Sequence, residues 1–175
     1  MYALSLVTFL YGFLLSPHFA FARSLNRPRT ACDAPARIEL AKRAVAAIVE
    51  PTLQQSVATY TAYPFSDDAS ITVNPNHIGG IQVSHDRQST ISFLAILYEL
   101  LTSVEAHAFV NTDDTHNFFN VTVVLGALHA IPTPVEAFFD AYLTYTLEPC
   151  KLQAVYADAT VPKALLPVLV DILTP

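Results

Sequence analysis

Two cysteines, Cys32 and Cys150, are the whole cysteine complement of this chain of 175 residues, and they constrain its architecture more than any other feature. Only one pairing is open to them within the chain. A bridge would close a loop of roughly 120 residues and withdraw about 5 kcal/mol of entropy from the unfolded state. That is comparable to the net stability of a small domain. Neither cysteine belongs to a Cys-x-x-Cys pair or stands beside a base, so a structural disulfide is expected and a thiol nucleophile is not.

The amino terminus points to a compartment where such a bridge forms. Ala3 to Leu15 carries no charge, Ala20-Phe21-Ala22 places small residues at the two positions a signal peptidase reads, and Arg23 follows. Residues 1–22 are therefore predicted as a signal peptide and residues 23–175 as a single helical domain, secreted into the extracellular, disulfide-permissive space. The apolar run is short for a membrane span, which needs about 20 residues, so the mature form is not expected to span a membrane. All charged side chains lie beyond residue 22, with a formal net charge of −6. An acidic chain repels nucleic acid, which is excluded as an expected partner.

The apolar spacing favours helices. Asp33 before Ala34-Pro35 reads as a helix start, and Ile38, Ala41, Val45, Ile48, Leu53, Val57 and Tyr60 recur every three or four residues. Pro51 removes an amide donor and should kink or divide that helix near Ile48. Ser70-Ile71-Thr72-Val73 and Gly80 to Ser84 alternate around Asn74 to Gly79, the composition of a short hairpin. Asp86 to Val110 reads as a continuous, nearly all-apolar helix.

Asn111 to Asp114 resembles a cap cluster, with a helix expected to Ile131; Val121 to Val124 is the one segment where a strand competes. Thr133-Pro134-Val135-Glu136 has the form of a capping box with Pro at the first helical position, and Val135, Phe138, Tyr142 and Tyr145 extend the stripe to about Leu147. A last short helix is expected from Pro162 to Leu173, broken or bent by Pro167. With only 4 Gly, the predicted fold class is all-α: a helical bundle whose long crossover has room for a short β-hairpin. In that bundle the chain from Lys151 onward lies outside the Cys32–Cys150 clamp.

Chemistry-bearing motifs are sparse. No His-Glu-x-x-His, Gly-x-Ser-x-Gly or Gly-rich Lys-Ser/Thr loop is present. Asp113, Asp114 and His116 could share an ion, but acids beside Asn and Thr before a helix serve mostly as caps. Asp67-Asp68 reads as a solvated turn, and Glu105 and His107, two apart on a helix, would point apart. No catalytic, cofactor-binding or metal-binding residue is predicted. Asn120-Val121-Thr122 is an N-glycosylation acceptor, whereas Pro75 disqualifies Asn74. Adjacent aromatics, Phe118-Phe119 and Phe138-Phe139, cannot all face one core, so one of each pair is available to a partner or to an internal lipid pocket.

The leader, the long first helix and the crossover suggest a family. Tyr60 to Phe65, YTAYPF, followed by Ser66-Asp67-Asp68, is similar to the Pro-Phe turn after the first helix of the ciliary neurotrophic factor and cardiotrophin group of four-helix cytokines. The resemblance covers residues 36–131. It departs from the group in its last segment, where Ala159 to Pro175 offers a short, proline-interrupted stretch in place of a long fourth helix. It implies an up-up-down-down bundle and a secreted, cytokine-like protein that binds a cell-surface receptor. Two alternatives stay open: an extracellular carrier of a small apolar ligand or lipid, and a small secreted enzyme. A carrier requires an enclosed apolar cavity of several hundred Å³. A cytokine requires a filled core, and an enzyme requires a cleft where acids and a histidine converge.

Overall fold

The computed structural model describes residues 32–127 and 131–174. The expected signal peptide, residues 1–22, lies outside them. Four helices and six strands follow in the order α1 (Ala34–Ile48), α2 (Leu53–Thr61), β1 (Phe65–Pro75), β2 (Ile81–Ser84), α3 (Arg87–Leu100), β3 (Leu101–Asn111), β4 (His116–Ala127), β5 (Ile131–Leu147), β6 (Cys150–Thr160) and α4 (Leu166–Leu173). The strands form one mixed sheet in the order β2-β1-β6-β5-β4-β3. Only the β1–β6 pair is parallel. The fold is therefore α+β, and the expected all-α bundle and single helical domain are corrected by this sheet.

The first third follows local signals. Asp33 accepts from the Ala36 amide at 3.0 Å with Pro35 in the first turn, and α1 ends at Ile48, three residues before Pro51. Thr52 then caps α2 through the Gln55 amide at 3.2 Å. Buried Tyr60 and Tyr63 bind this unit together, donating to the carbonyls of Ala44 at 2.8 Å and Leu40 at 2.9 Å. The β1–β2 hairpin turns through Asn76, His77 and Gly79, all at positive φ. At Gly79, with φ near +127°, the backbone requires glycine.

The later chain departs from helical expectation. Asp86 and Ser89 form a capping box that starts α3, but the backbone becomes extended at Leu101, and β3 replaces the second half of the expected helix. From there Val104 and Ala106 pack on the core while Glu105 and His107 lie on the other face. In β4, Phe119, Val121 and Val123 are buried between less buried Phe118, Asn120 and Thr122. In β5, Ala137, Ala141, Leu143 and Tyr145 are buried while Glu136, Phe138, Asp140 and Tyr142 are exposed. Period-two burial of this kind is the signature of a sheet with one covered face. Thr133 to Glu136 thus belongs to a strand, not to a capped helix.

Helices α1, α3 and α4 cover the inner face: α1 lies on β3 and β4, α3 meets β1 to β4, and α4 reaches β1 and β2. The ladder shifts register at Leu101/Ser103, His107/Val110, Val124/Gly126 and Thr144/Tyr145, and irregularities of this kind bend strands. The outer face bears no described element.

Cys32 and Cys150 are joined, with Cα atoms 4.8 Å apart, tying the start of α1 to the first residue of β6. Because β6 sits between β1 and β5, the chain beyond Lys151 lies inside the structure, contrary to expectation. Pro167 occupies the first turn of α4, so it starts this helix where a break was expected.

Candidate functional site: an apolar chamber between sheet and helices

Alternation along the strands aims a row of small and β-branched side chains at the helices. Val121 and Val123 of β4, Phe139, Ala141 and Leu143 of β5, and Val155 and Ala157 of β6 form the floor. Ala44, Val45 and Ile48 of α1, Phe93, Leu94 and Leu97 of α3, and Leu169 and Leu173 of α4 form the roof. Between them lies a cavity of about 160 Å³. Alanine at 141 and 157 leaves the space that a branched side chain would fill.

Every described lining residue is Ala, Val, Ile, Leu, Phe or Tyr. Among the described residues, the one lining residue with a polar side-chain atom is Tyr60, whose hydroxyl is committed to the Ala44 carbonyl. Burial pushes the Tyr60 phenol far above its usual range, so it stays neutral. A buried water needs two to four polar partners, and apolar cavities of about 150 Å³ are dry and accept benzene-sized molecules. The chamber is suited to an apolar guest held by dispersion and by exclusion from water. At about 160 Å³ it falls short of the several hundred Å³ expected of a carrier of a small apolar ligand or lipid, and it has room for a guest of benzene size.

The ionisable side chains singled out in the sequence lie elsewhere. Asp113 and His116 form an exposed turn at the start of β4: the Asp113 carboxylate accepts from the amides of Thr115 at 2.7 Å and His116 at 2.9 Å, and from the His116 ring at 2.8 Å. The Thr115 amide, followed by the His116 ring, holds the Asp113 carboxyl well below the usual carboxylate range. Asp67 and Asp68 are exposed in β1 rather than in a turn. Glu105 and His107 share the outer face, Glu105 Oε1 lying 3.7 Å from His107 Nε2, because a strand rather than a helix carries them. His77 lies 3.7 Å from Asp158 and His85 3.5 Å from Asp86, both at the surface. His129 falls outside the described residues. Among the described residues, no three His, Cys, Asp or Glu side chains are grouped to hold a metal ion.

Asn120 is carried on the outer face of β4, where its amide donates to Asp140 of β5. The sequence reading missed Arg37, a buried side chain of α1 at the end of the sheet. Its guanidinium donates to the carbonyls of Cys32 and Asp113 and to the side chains of Asn111 and Asn117. It lines no part of the chamber and has the geometry of a structural lock. An internal apolar pocket was among the open readings, but its lining residues were not named, though alanines at inward positions of β5 and β6 are the trace it leaves in the sequence.

No protein-family model and no curated protein matches the sequence. Solved structures do resemble the fold. The BvnE pinacolase from Penicillium brevicompactum is similar over 78% of this chain and 92% of its own, with a TM-score of 0.52 and 13% identity. A de novo designed protein with a curved β-sheet is similar over 77% and 91%, with a TM-score of 0.50 and 12% identity. A looser likeness, with a TM-score of 0.46 and 8% identity over 70% and 95%, is to a putative isomerase of the SnoaL-like family from Agrobacterium tumefaciens. The receptor-binding cytokine reading is overturned by the sheet itself and by the fold likeness to the pinacolase and the designed protein: YTAYPF runs from the end of α2 into β1, and the turn at Pro64 starts a strand. At these identities the likeness concerns architecture alone, and the chain is an α+β protein similar in fold to that pinacolase and to the designed curved-sheet protein.

Proposed function

We propose that this chain is an extracellular carrier that binds a small apolar molecule between its sheet and helices without transforming it. The observation that carries this reading is the chamber wall, which among the described residues is built from hydrocarbon and aromatic surface, with its one hydroxyl already bonded. Acid–base or nucleophilic catalysis requires an ionisable group within hydrogen-bond reach of the substrate. Among the described residues, none lines this space. The disulfide supports an extracellular setting, and no helix among the described residues is long and apolar enough to cross a membrane.

Size limits the guest to about ten non-hydrogen atoms, such as a simple arene or a monoterpene hydrocarbon. Covering about 200 Å² of its apolar surface is worth about 5 kcal/mol, or a Kd of about 0.2 mM. Titration of isotope-labelled protein with benzene tests the reading. Shifts concentrated on the methyls of Val121, Val123, Leu143 and Leu169 are expected; shifts scattered over the outer face, or none, would sink it. A second reading, an enzyme acting on a small apolar substrate, draws on the fold likeness to the pinacolase. It would need a reacting group from outside the described wall.

A further inference from the structure

The outer face of the sheet carries a pattern that the chamber does not explain. Phe118, Asn120 and Thr122 alternate along β4, so all three project from the same, outer face. Phe118 is paired with Tyr142 and Tyr142 with Tyr156 across the strands. Their rings form a row with centroids 5.1 Å and 6.2 Å apart. Tyr142 is 42% exposed, and Phe138, on the other side of Asp140, is 51% exposed. Exposed aromatic rings on a sheet face call for a cover. Asn120, the acceptor of an Asn-x-Thr sequence, stands between them.

We propose that Asn120 is N-glycosylated and that the first sugars of its glycan lie over the Phe118–Tyr142 row, making the outer face a glycan-covered surface. In the modification, the Asn120 Nδ2 nitrogen attacks the anomeric carbon of a lipid-linked oligosaccharide diphosphate. The new C–N bond replaces the C–O bond to the diphosphate, which leaves with the lipid, and Nδ2 gives up one of its two protons. The proton that remains preserves the observed donation to Asp140. Thr122, two residues on and on the same face, supplies the hydroxyl the acceptor sequence requires. The axial C–H faces of a hexosamine are apolar and stack on aromatic rings, and Phe118 occupies the position two residues before the acceptor, on its side of the strand. The neighbouring Asp140 and Asp158 carboxylates can accept from sugar hydroxyls. This inference is independent of the chamber and its guest.

The test uses the full chain, with its own leader, expressed in cultured mammalian cells. Peptide mass spectrometry of the secreted product, after glycosidase release in heavy-oxygen water, should find Asn120 converted to labelled Asp in most molecules. The Thr122→Ala variant should abolish the label. The packing claim is read from melting temperatures of wild type, Thr122→Ala, Phe118→Ala and the double variant. Loss of the glycan should lower the melting temperature when Phe118 is present and have little effect when it is absent. The same four proteins refolded unglycosylated from bacteria should show no such coupling. Unmodified Asn120 in secreted protein, or a chain that stays in the cytosol, would overturn the proposal. So would a dimer whose contact buries Tyr142 and Phe138 with Asn120 bare.

Discussion

Arg37 Nε donates to Asn117 Oδ1 at 3.3 Å across 80 residues of sequence, and both side chains are almost wholly buried. The same guanidinium donates to the Cys32 carbonyl at 2.8 Å, the Asp113 carbonyl at 2.9 Å and Asn111 Oδ1 at 3.2 Å. Among these partners the cation is held by neutral acceptors. It gathers the start of α1, the disulfide and the β3–β4 connection at one end of the sheet. Arg37→Ala strips several buried acceptors of their donor and should cost about 3–5 kcal/mol in urea unfolding. Arg37→Lys should recover little, since an ammonium cannot reproduce the planar fork.

The Cys32–Cys150 bridge spans a sequence separation of 118. Replacing both cysteines with serine should lower stability by about 4–5 kcal/mol if the loop-closure account holds, with no change in the native sheet. Equilibrium unfolding with and without reductant measures it. A loss below about 1 kcal/mol would place the bridge's role outside stability.

Two limbs of the pH profile follow from named groups. Asp113 is held low by the Thr115 amide and the His116 ring. Its stabilisation is therefore present above the unfolded carboxyl value, about pH 4, and is lost as pH falls below it. Asp113→Asn should flatten that acid limb. At the other end, burial raises the phenols of Tyr60, Tyr63 and Tyr145. Their contribution is complete below the unfolded value, about pH 10, and falls as pH rises beyond it, because only the unfolded chain readily ionises. Circular dichroism melts across both ranges check the two slopes. Tyr60→Phe should soften the alkaline limb and, by leaving the Ala44 carbonyl without its donor, cost about 1–2 kcal/mol at neutral pH.

The parts of the fold legible in the sequence were those with local punctuation. Asp33-Ala34-Pro35 and Pro51 mark the start of α1 and its separation from α2, and Asn74 to Gly79 marks the β1–β2 turn. The error in β5 has a specific physical cause. Phe138 and Tyr142 stand four apart on the exposed face, and with buried Tyr145 they imitate a helical stripe. The true period lies in Ala137, Phe139, Ala141, Leu143 and Tyr145, hidden because two of its members are alanine. Thr133 to Glu136 satisfies the capping-box sequence without the backbone that would use it. Tertiary pairing of β5 with β4 and β6 decided the structure, and pairings between strands leave no local spacing to read. Arg37 and Asn117 escaped notice for the same reason: their relationship exists only after strands and helix have met.

A binding site in the space between sheet and helices would take up a small hydrocarbon saturably. Isothermal titration of the folded chain with a monoterpene hydrocarbon, alongside Ala141→Leu and Ala157→Leu, measures it most directly. Both substitutions point into the chamber and should fill it while leaving stability equal or higher. Saturable binding with a Kd of about 0.2 mM, weakened at least about tenfold in each folded variant, is the expected result. Absence of binding to the wild type, or equal binding to the filled variants, would contradict it.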